Sequence, residues 1–291
     1  MGGGSKQTSG RRAGGAATAG GINFQAVATA IACVHMARGT PLLWLEKIVD
    51  DTPVAVDGET GGSGDDIRLV LRDGRTVEVQ VKKGLRATEE LWDALSKLAS
   101  AIDNSEVDFG VLVVSSSSSN PVKDSLANDI IRIGDGRMDH LSEIGERFVE
   151  RLLDRRIDVQ RVCGRLRVQT IHATASDQAS VVAARAELSH ICSNGAMTGL
   201  AWSALLKDCA TMIEQRGRRD LPALLQMLVA ERIQLAGPST LSPIQLLAKL
   251  VDWTFETNAT FTILGVERQL NIDEAWIPLT ATVRDPDEQE G

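Results

Sequence analysis

The sequence predicts an α/β fold: a mixed sheet with a hairpin flanked by helices, followed by a mainly helical extension. Three observations carry this expectation. The segment DDIRLVLRDGRTVEVQVKK, residues 65–83, alternates apolar and polar residues on both sides of an Asp73-Gly74 turn signal. FGVLVV at 109–114 is a short continuous apolar run, the pattern of a strand buried on both faces. Apolar residues recur at helical spacing on either side of these strands, over 21–38 and 88–102.

Taken in order, residues 1–20 are rich in Gly, Ala, Ser and Thr and read as a disordered tail. From Gly21 to Arg38 the spacing of Phe24, Val27, Ala28, Ile31 and Val34 predicts a helix, with Asn23 as its cap. A short helix is expected over 41–49, with Pro41 in its first turn. In the hairpin, Ile67, Leu69 and Leu71 alternate with Arg68, Val70 and Arg72. Val77, Val79 and Val81 then alternate with Glu78, Gln80 and Lys82, giving a valine face for the core and a polar face. Leu91, Leu95, Leu98 and Ile102 share one face of the 88–102 helix, and the serine run 115–119 leaves the apolar strand as a loop. Beyond residue 141 the sequence predicts a helix to 156, a strand over 165–172, and helices near 176–193, 196–215, 219–235 and 243–257. Trp202, Leu205, Leu206, Cys209 and Met212 should form a buried stripe. The expected organisation is a tail at 1–20, a sheet domain at 21–140, a mainly helical coupling or assembly region at 141–280, and an acidic disordered tail at 281–291.

With 291 residues the chain is long enough for a substantial core. Its net charge is −8, which does not mark an obvious nucleic-acid binder. Locally the balance reverses. Between Asp66 and Arg86, six cations (Arg68, Arg72, Arg75, Lys82, Lys83, Arg86) face three carboxylates (Asp66, Asp73, Glu78), a net positive stretch suited to phosphate. Tyrosine is absent and aromatics are scarce, so base-stacking platforms are not expected. The four cysteines form no CxxC pair, which argues against a zinc site. No apolar run has the length of a membrane span and residues 1–20 carry no apolar signal region, so a cytoplasmic protein is expected.

One constellation points to chemistry. Metal-dependent phosphodiester cleavage needs hard oxygen ligands for a divalent cation, usually Mg²⁺, and a lysine that offsets developing negative charge. A carboxylate on one strand, with an acid or amide two residues before a lysine on its hairpin partner, supplies these in a small space. Asp66 or Asp65, with Gln80 and Lys82, has that form. A strict two-residue turn at Asp73-Gly74 sets Asp65 opposite Lys82; a three-residue turn with Gly74 left-handed sets Asp66 there. Asp-Gly suits both turns, so geometry leaves the two aspartates equal. Glu46 and Glu78 are expected on solvated faces, and the basic cluster RGRRD at 216–220 in a loop between helices.

GINFQ at 21–25, DDI at 65–67 and QVK at 80–82 together resemble the double-stranded-DNA nuclease domains of bacterial anti-phage proteins, including CBASS effectors and nucleases fused to STAND or NACHT ATPases. These are a branch of the PD-(D/E)xK, or restriction-endonuclease-like, superfamily, and the resemblance covers roughly residues 21–135. It implies a restriction-endonuclease-like core with Gln25 on the first helix, Asp66 as metal ligand, Gln80 where Glu is more common, and Lys82 as the catalytic lysine. It also implies Mg²⁺ as cofactor with Mn²⁺ as a substitute, and double-stranded DNA as substrate, with Lys83, Arg86 and Arg68 at phosphates. The segment TFTILGVERQLNIDEAWIPLT, 260–280, resembles the region preceding the ATPase in STAND and NACHT defence proteins. That implies coupling to such an ATPase in cis or in trans, or self-assembly. No GxxxxGK[ST] occurs, so no ATPase activity is expected of this chain. The competing expectation is a catalytically inactive nuclease-like module that mediates assembly of a defence complex.

Overall fold

A computed structural model describes residues 10–58, 66–236, 260–262 and 269–271. The chain divides into two compact units, 1–236 and 237–291. In the first, helix α1 (Gly10–Arg38) leads through a 3₁₀ turn (Leu43–Leu45) into strands β1 (Pro53–Gly58), β2 (Ile67–Leu71) and β3 (Thr76–Lys82). Helix α2 (Glu89–Asp103) and strand β4 (Phe109–Ser115) follow. A π-helical turn (Pro121–Leu126) runs on into α3 (Ala127–Gly134). Then come α4 (Glu143–Asp154), α5 (Val159–Cys163), β5 (Leu166–Ile171), α6 (Ala179–Ser189), α7 (Thr198–Glu214), β6 (Arg218–Asp220) and α8 (Leu221–Ala230). The second unit contains an antiparallel pair, β7 (Thr260–Thr262) with β8 (Gln269–Asn271).

The six-stranded sheet has the order β5-β4-β3-β2-β1-β6. β6, β1, β2 and β3 pair antiparallel, whereas β3, β4 and β5 pair parallel. β3 is therefore the strand at which the sheet changes character. One apolar cluster joins Val77, Val79, Val81, Ile67, Leu69 and Leu71 to Phe24, Ile31 and Val34 of α1, and through α1 to α6, α7 and α8. The other joins Leu112, Val114, Leu166 and Val168 to α2 through α5. Helix α2 forms because Leu91, Leu95, Leu98 and Ile102, all at 0% exposure, line one face while Glu89 and Glu90 complement its N-terminal dipole. Burying each such side chain contributes about 1.5–3 kcal/mol. Arg147 and Arg151 of α4 stack on Trp92, 5.4 and 4.9 Å from the ring centre.

Several expectations change. α1 begins at Gly10, inside the segment read as a tail, and Asn23 lies within the helix instead of capping it. The apolar residues of α1 are buried all round because the helix sits between the sheet and α6–α8, and Ala28, Ala30 and Ala32 permit that close packing. Over 41–49 only the short 3₁₀ turn forms. The sequence pattern predicts neither strand β1 nor the helical turns over 121–134. Beyond residue 140, β5 extends the sheet beside β4, and α4 and α5 pack on the same apolar cluster as α2. RGRRD is not a simple loop: Arg218–Asp220 pair with β1, and Gly58 N–H donates to the Gly217 carbonyl at 2.9 Å. In the α7 stripe, Trp202, Leu205, Cys209 and Met212 are buried and Leu206 is half-buried. The helix expected at 243–257 and the acidic tail at 281–291 lie outside the described residues. No helix among the described residues is long and apolar enough to cross a membrane.

Candidate active site

The hairpin turn sets the register. Leu71 N–H donates to the Arg75 carbonyl at 2.8 Å, Gly74 N–H donates to the Leu71 carbonyl at 3.0 Å, and Gly74 has φ +89°. The loop is thus Arg72-Asp73-Gly74, a three-residue turn with its last residue left-handed. That matches one anticipated turn type but begins one residue earlier. The strands pair Ile67 with Val79 and Arg68 with Glu78. Continued by one residue, this register sets Asp66 opposite Gln80, so neither expected alignment with Lys82 holds. Asp65 lies outside the described residues.

Asp66 ends the β2–β3 ladder with its side chain. Its Oδ2 accepts from Val81 N–H at 2.6 Å, a short charge-assisted bond to the residue between Gln80 and Lys82. From the other side of the sheet, Gln25 Nε2 of α1 donates to the Asp66 main-chain carbonyl at 3.0 Å. Three separate sequence segments, GINFQ, DDI and QVK, thereby meet around one aspartate. Gln80 is buried at 4% exposure and Lys82 is half-buried at the end of β3. Parallel pairing puts Gln80 beside Leu112 and Lys82 beside Val114, on the face packed by α2. Lys83, the next residue, is exposed, as are Arg86 and Arg72.

Two of the expected surface charges behave otherwise. Arg68, anticipated at DNA phosphates, directs Nε and Nη2 to Glu78 Oε2, both at 3.0 Å. Glu78, anticipated on a solvated face, is 1% exposed. The pair belongs to a row of alternating charge across the sheet. Arg218 of β6 aligns with Asp57 of β1, Asp57 with Arg68 of β2, and Arg68 with Glu78 of β3. Arg218 Nη1 approaches Asp57 Oδ2 to 3.4 Å. Burial pushes the Asp57 carboxyl above its ordinary range, and the Arg218 and Arg68 charges only partly offset this. These ion pairs tie neighbouring strands together. Glu46 is exposed, as expected.

The C-terminal ends of β3, β4 and β5 form a polar rim next to Lys82. The chain leaves β3 through Gly84 at φ +68°. Ser115 Oγ accepts from Gly84 N–H and Ser118 Oγ accepts from Leu85 N–H, both at 2.9 Å. Past β5, His172 Nδ1 bonds Asp177 Oδ2 at 2.5 Å. Ser116 to Ser119 leave the strand as a loop, as the sequence predicts, while Ser115 is its last residue; the bonds from the serine hydroxyls to the chain past β3 have no signal in the sequence. Cavities of about 450 Å³ along 41–50 and about 430 Å³ between α1, β5 and α6 are lined by neither Asp66, Gln80 nor Lys82.

The donors such a site could offer a cation are one carboxylate, Asp66, and the amide oxygens of Gln80 and Gln25. Because Gln25 Nε2 is committed to Asp66, Oε1 is the atom it would offer. No group of three His, Cys, Asp or Glu side chains among the described residues is arranged to hold a metal. The donors are hard oxygens, which fits Mg²⁺ or Mn²⁺ in kind. With a single carboxylate, the fit is that of a weak site completed by an anionic substrate.

No protein-family profile and no curated protein matches the chain. Similar solved structures include the Cap4 SAVED/CARF-domain receptor of Moraxella osloensis, at 13% identity and TM-score 0.45, covering 72% of this chain and 47% of that one. The Acinetobacter baumannii Cap4 SAVED/CARF-domain receptor with the cyclic trinucleotide 3'3'3'-cAAA shows 11% identity and TM-score 0.47, covering 72% of this chain and 45% of that one. This chain thus spans under half the length of those receptors.

Proposed function

We propose that the chain is a metal-dependent endonuclease of the PD-(D/E)xK type that cleaves double-stranded DNA. The observation that carries this reading is the bond from Val81 N–H to Asp66 Oδ2, which fixes a carboxylate beside the segment bearing Gln80 and Lys82. Further support comes from the element order: a helix, a three-stranded antiparallel unit, a second helix and a parallel strand, with helices on both faces. That is the arrangement a restriction-endonuclease-like core requires.

On this reading Asp66 and Gln80 hold the cation, and Gln25 fixes the backbone of Asp66 and lends its Oε1. A bound Mg²⁺ supplies Lewis-acid stabilisation and a water of lowered pKa. Lys82 sets its ammonium beside the charge that develops on the scissile phosphate. Lys83 and Arg86, exposed next to the site, meet flanking phosphates and position the duplex without entering the chemistry. Arg68 is withdrawn from that role by Glu78. An anti-phage setting, with coupling through the 141–280 region to a STAND or NACHT ATPase or to further copies of the chain, is part of the proposal and rests on the motif resemblance.

The single carboxylate favours one alternative, a nuclease-like module that assembles without cutting. Incubating the full chain with supercoiled plasmid in Mg²⁺, Mn²⁺ or EDTA separates the two. The endonuclease reading expects nicked and linear DNA with either metal and none in EDTA. Intact plasmid in both metals, together with no heat of metal binding in the presence of DNA, would leave the assembly module standing.

A further inference from the structure

We infer that Ser115 and Ser118 are positioning residues for Lys82, and that the serine run exists to clamp the backbone leaving β3. The inference rests on the reading of Lys82 as the catalytic lysine. Past Lys82 the chain leaves the sheet, and Gly84 adopts a left-handed conformation. A backbone that turns away from a ladder leaves donors unpaired, and a buried unpaired amide is costly. Here Gly84 N–H is taken by Ser115 Oγ and Leu85 N–H by Ser118 Oγ, each at 2.9 Å. Ser119 N–H returns the contact to the Leu85 carbonyl, also at 2.9 Å.

The clamp is itself braced. Ser115 is 0% exposed and shares a hydrogen bond with Ser117 at 2.7 Å. Ser118 is 4% exposed, and its N–H donates to the Ser115 carbonyl at 2.9 Å. Lys123 Nζ donates to the Ser116 carbonyl at 2.9 Å and holds the loop from outside. Lys82 therefore lies between two fixed points. Asp66 holds Val81 on one side of it, and the serines hold Gly84 and Leu85 on the other. A flexible lysine gains most from such fixing, since small misplacement of a catalytic group costs rate steeply.

The test uses the full chain with Ser115→Ala, Ser118→Ala and Ser118→Thr, each in wild-type and Lys82→Ala backgrounds. Single-turnover plasmid cleavage in Mg²⁺ is measured alongside acylation of Lys82 and Lys83 by an amine-reactive ester, followed by peptide mass spectrometry. Thermal melts confirm folding. Either alanine substitution should slow cleavage by about tenfold to a hundredfold without weakening plasmid binding. Ser118→Thr, which keeps the hydroxyl, should recover most of the rate. In the Lys82→Ala background the serine substitutions should add nothing, the mark of residues acting through one group. Acylation of Lys82 should accelerate towards that of Lys83. Equal slowing in both backgrounds, or Lys82 labelling unchanged by the alanines, would overturn the clamp. If the wild-type chain cuts no DNA, the nuclease reading fails by itself, and the labelling ratio still decides whether the serines fix Lys82.

Discussion

The two halves of the sheet solve different problems on the face that meets α2. Across β4 and β5, where pairing is parallel, that face is Leu112, Val114, Leu166 and Val168, all inside one apolar cluster. Across β6, β1, β2 and β3, where pairing is antiparallel, the same face carries Arg218, Asp57, Arg68 and Glu78 in register. A parallel sheet is covered on both sides, so its strands become continuously apolar; an antiparallel half can keep one polar side. β3 belongs to both halves. Its opposite side carries Val77, Val79 and Val81 into the α1 cluster, while Glu78, Gln80 and Lys82 face the boundary between charge and hydrocarbon. Such a boundary would suit the proposed cation site: partly desolvated, so that electrostatics are strong, yet open to solvent and phosphate.

The largest effect on stability should come from the apolar half. Leu112→Ala removes a fully buried side chain and should cost about 2–5 kcal/mol, read as a fall in chemical-denaturation midpoint at constant slope. The charged half should respond less. Arg68→Ala takes one charged partner from the buried Glu78, and Arg68 is itself a third exposed, so about 2 kcal/mol is expected, below the range for fully buried pairs. A loss under Arg68→Ala as large as that under Leu112→Ala would mean the charged row is as deeply desolvated as the core.

How much of this was legible follows the same division. The hairpin, α2 and β4 follow from local periodicity, and so does the stripe on α7. Strand β1 did not: PVAVDG carries a proline, an irregular register near Pro53 and little alternation, and its place in the sheet comes from partners on both sides. The pairing of Arg68 with Glu78 was hidden by a turn that begins at Arg72 instead of Asp73, since one residue of register decides every cross-strand partner. Of the site, the three motif segments were readable, and their meeting at Asp66 was readable only through the resemblance. The bond from Val81 to Asp66 and the two serine bonds depend on tertiary placement that spacing does not encode.

A smaller effect probes the cost of keeping charge in the row. Asp57 has its folded pKa raised by burial, so its ionised form is disfavoured by folding. The stability this group contributes is present below its unfolded value near 3.9 and is lost as pH rises through the raised folded value. Asp57→Asn should therefore raise the melting temperature slightly at pH 7 and leave it unchanged at pH 3. A fall at pH 7 would show that the Arg218 and Arg68 attractions outweigh desolvation.

The central claim, that the polar side of β3 carries a cleavage site, is tested most directly by comparing two adjacent lysines. Lys82 shares the face of Gln80, while Lys83 lies just past the end of β3 and is exposed. Initial plasmid-cleavage rates in Mg²⁺ are measured for wild type, Lys82→Ala and Lys83→Ala at matched DNA occupancy. The account predicts that Lys82→Ala loses roughly a hundredfold to a thousandfold, the usual effect of removing one well-placed electrostatic group, while Lys83→Ala keeps most of its activity. Cleavage by Lys82→Ala at the wild-type rate would contradict it.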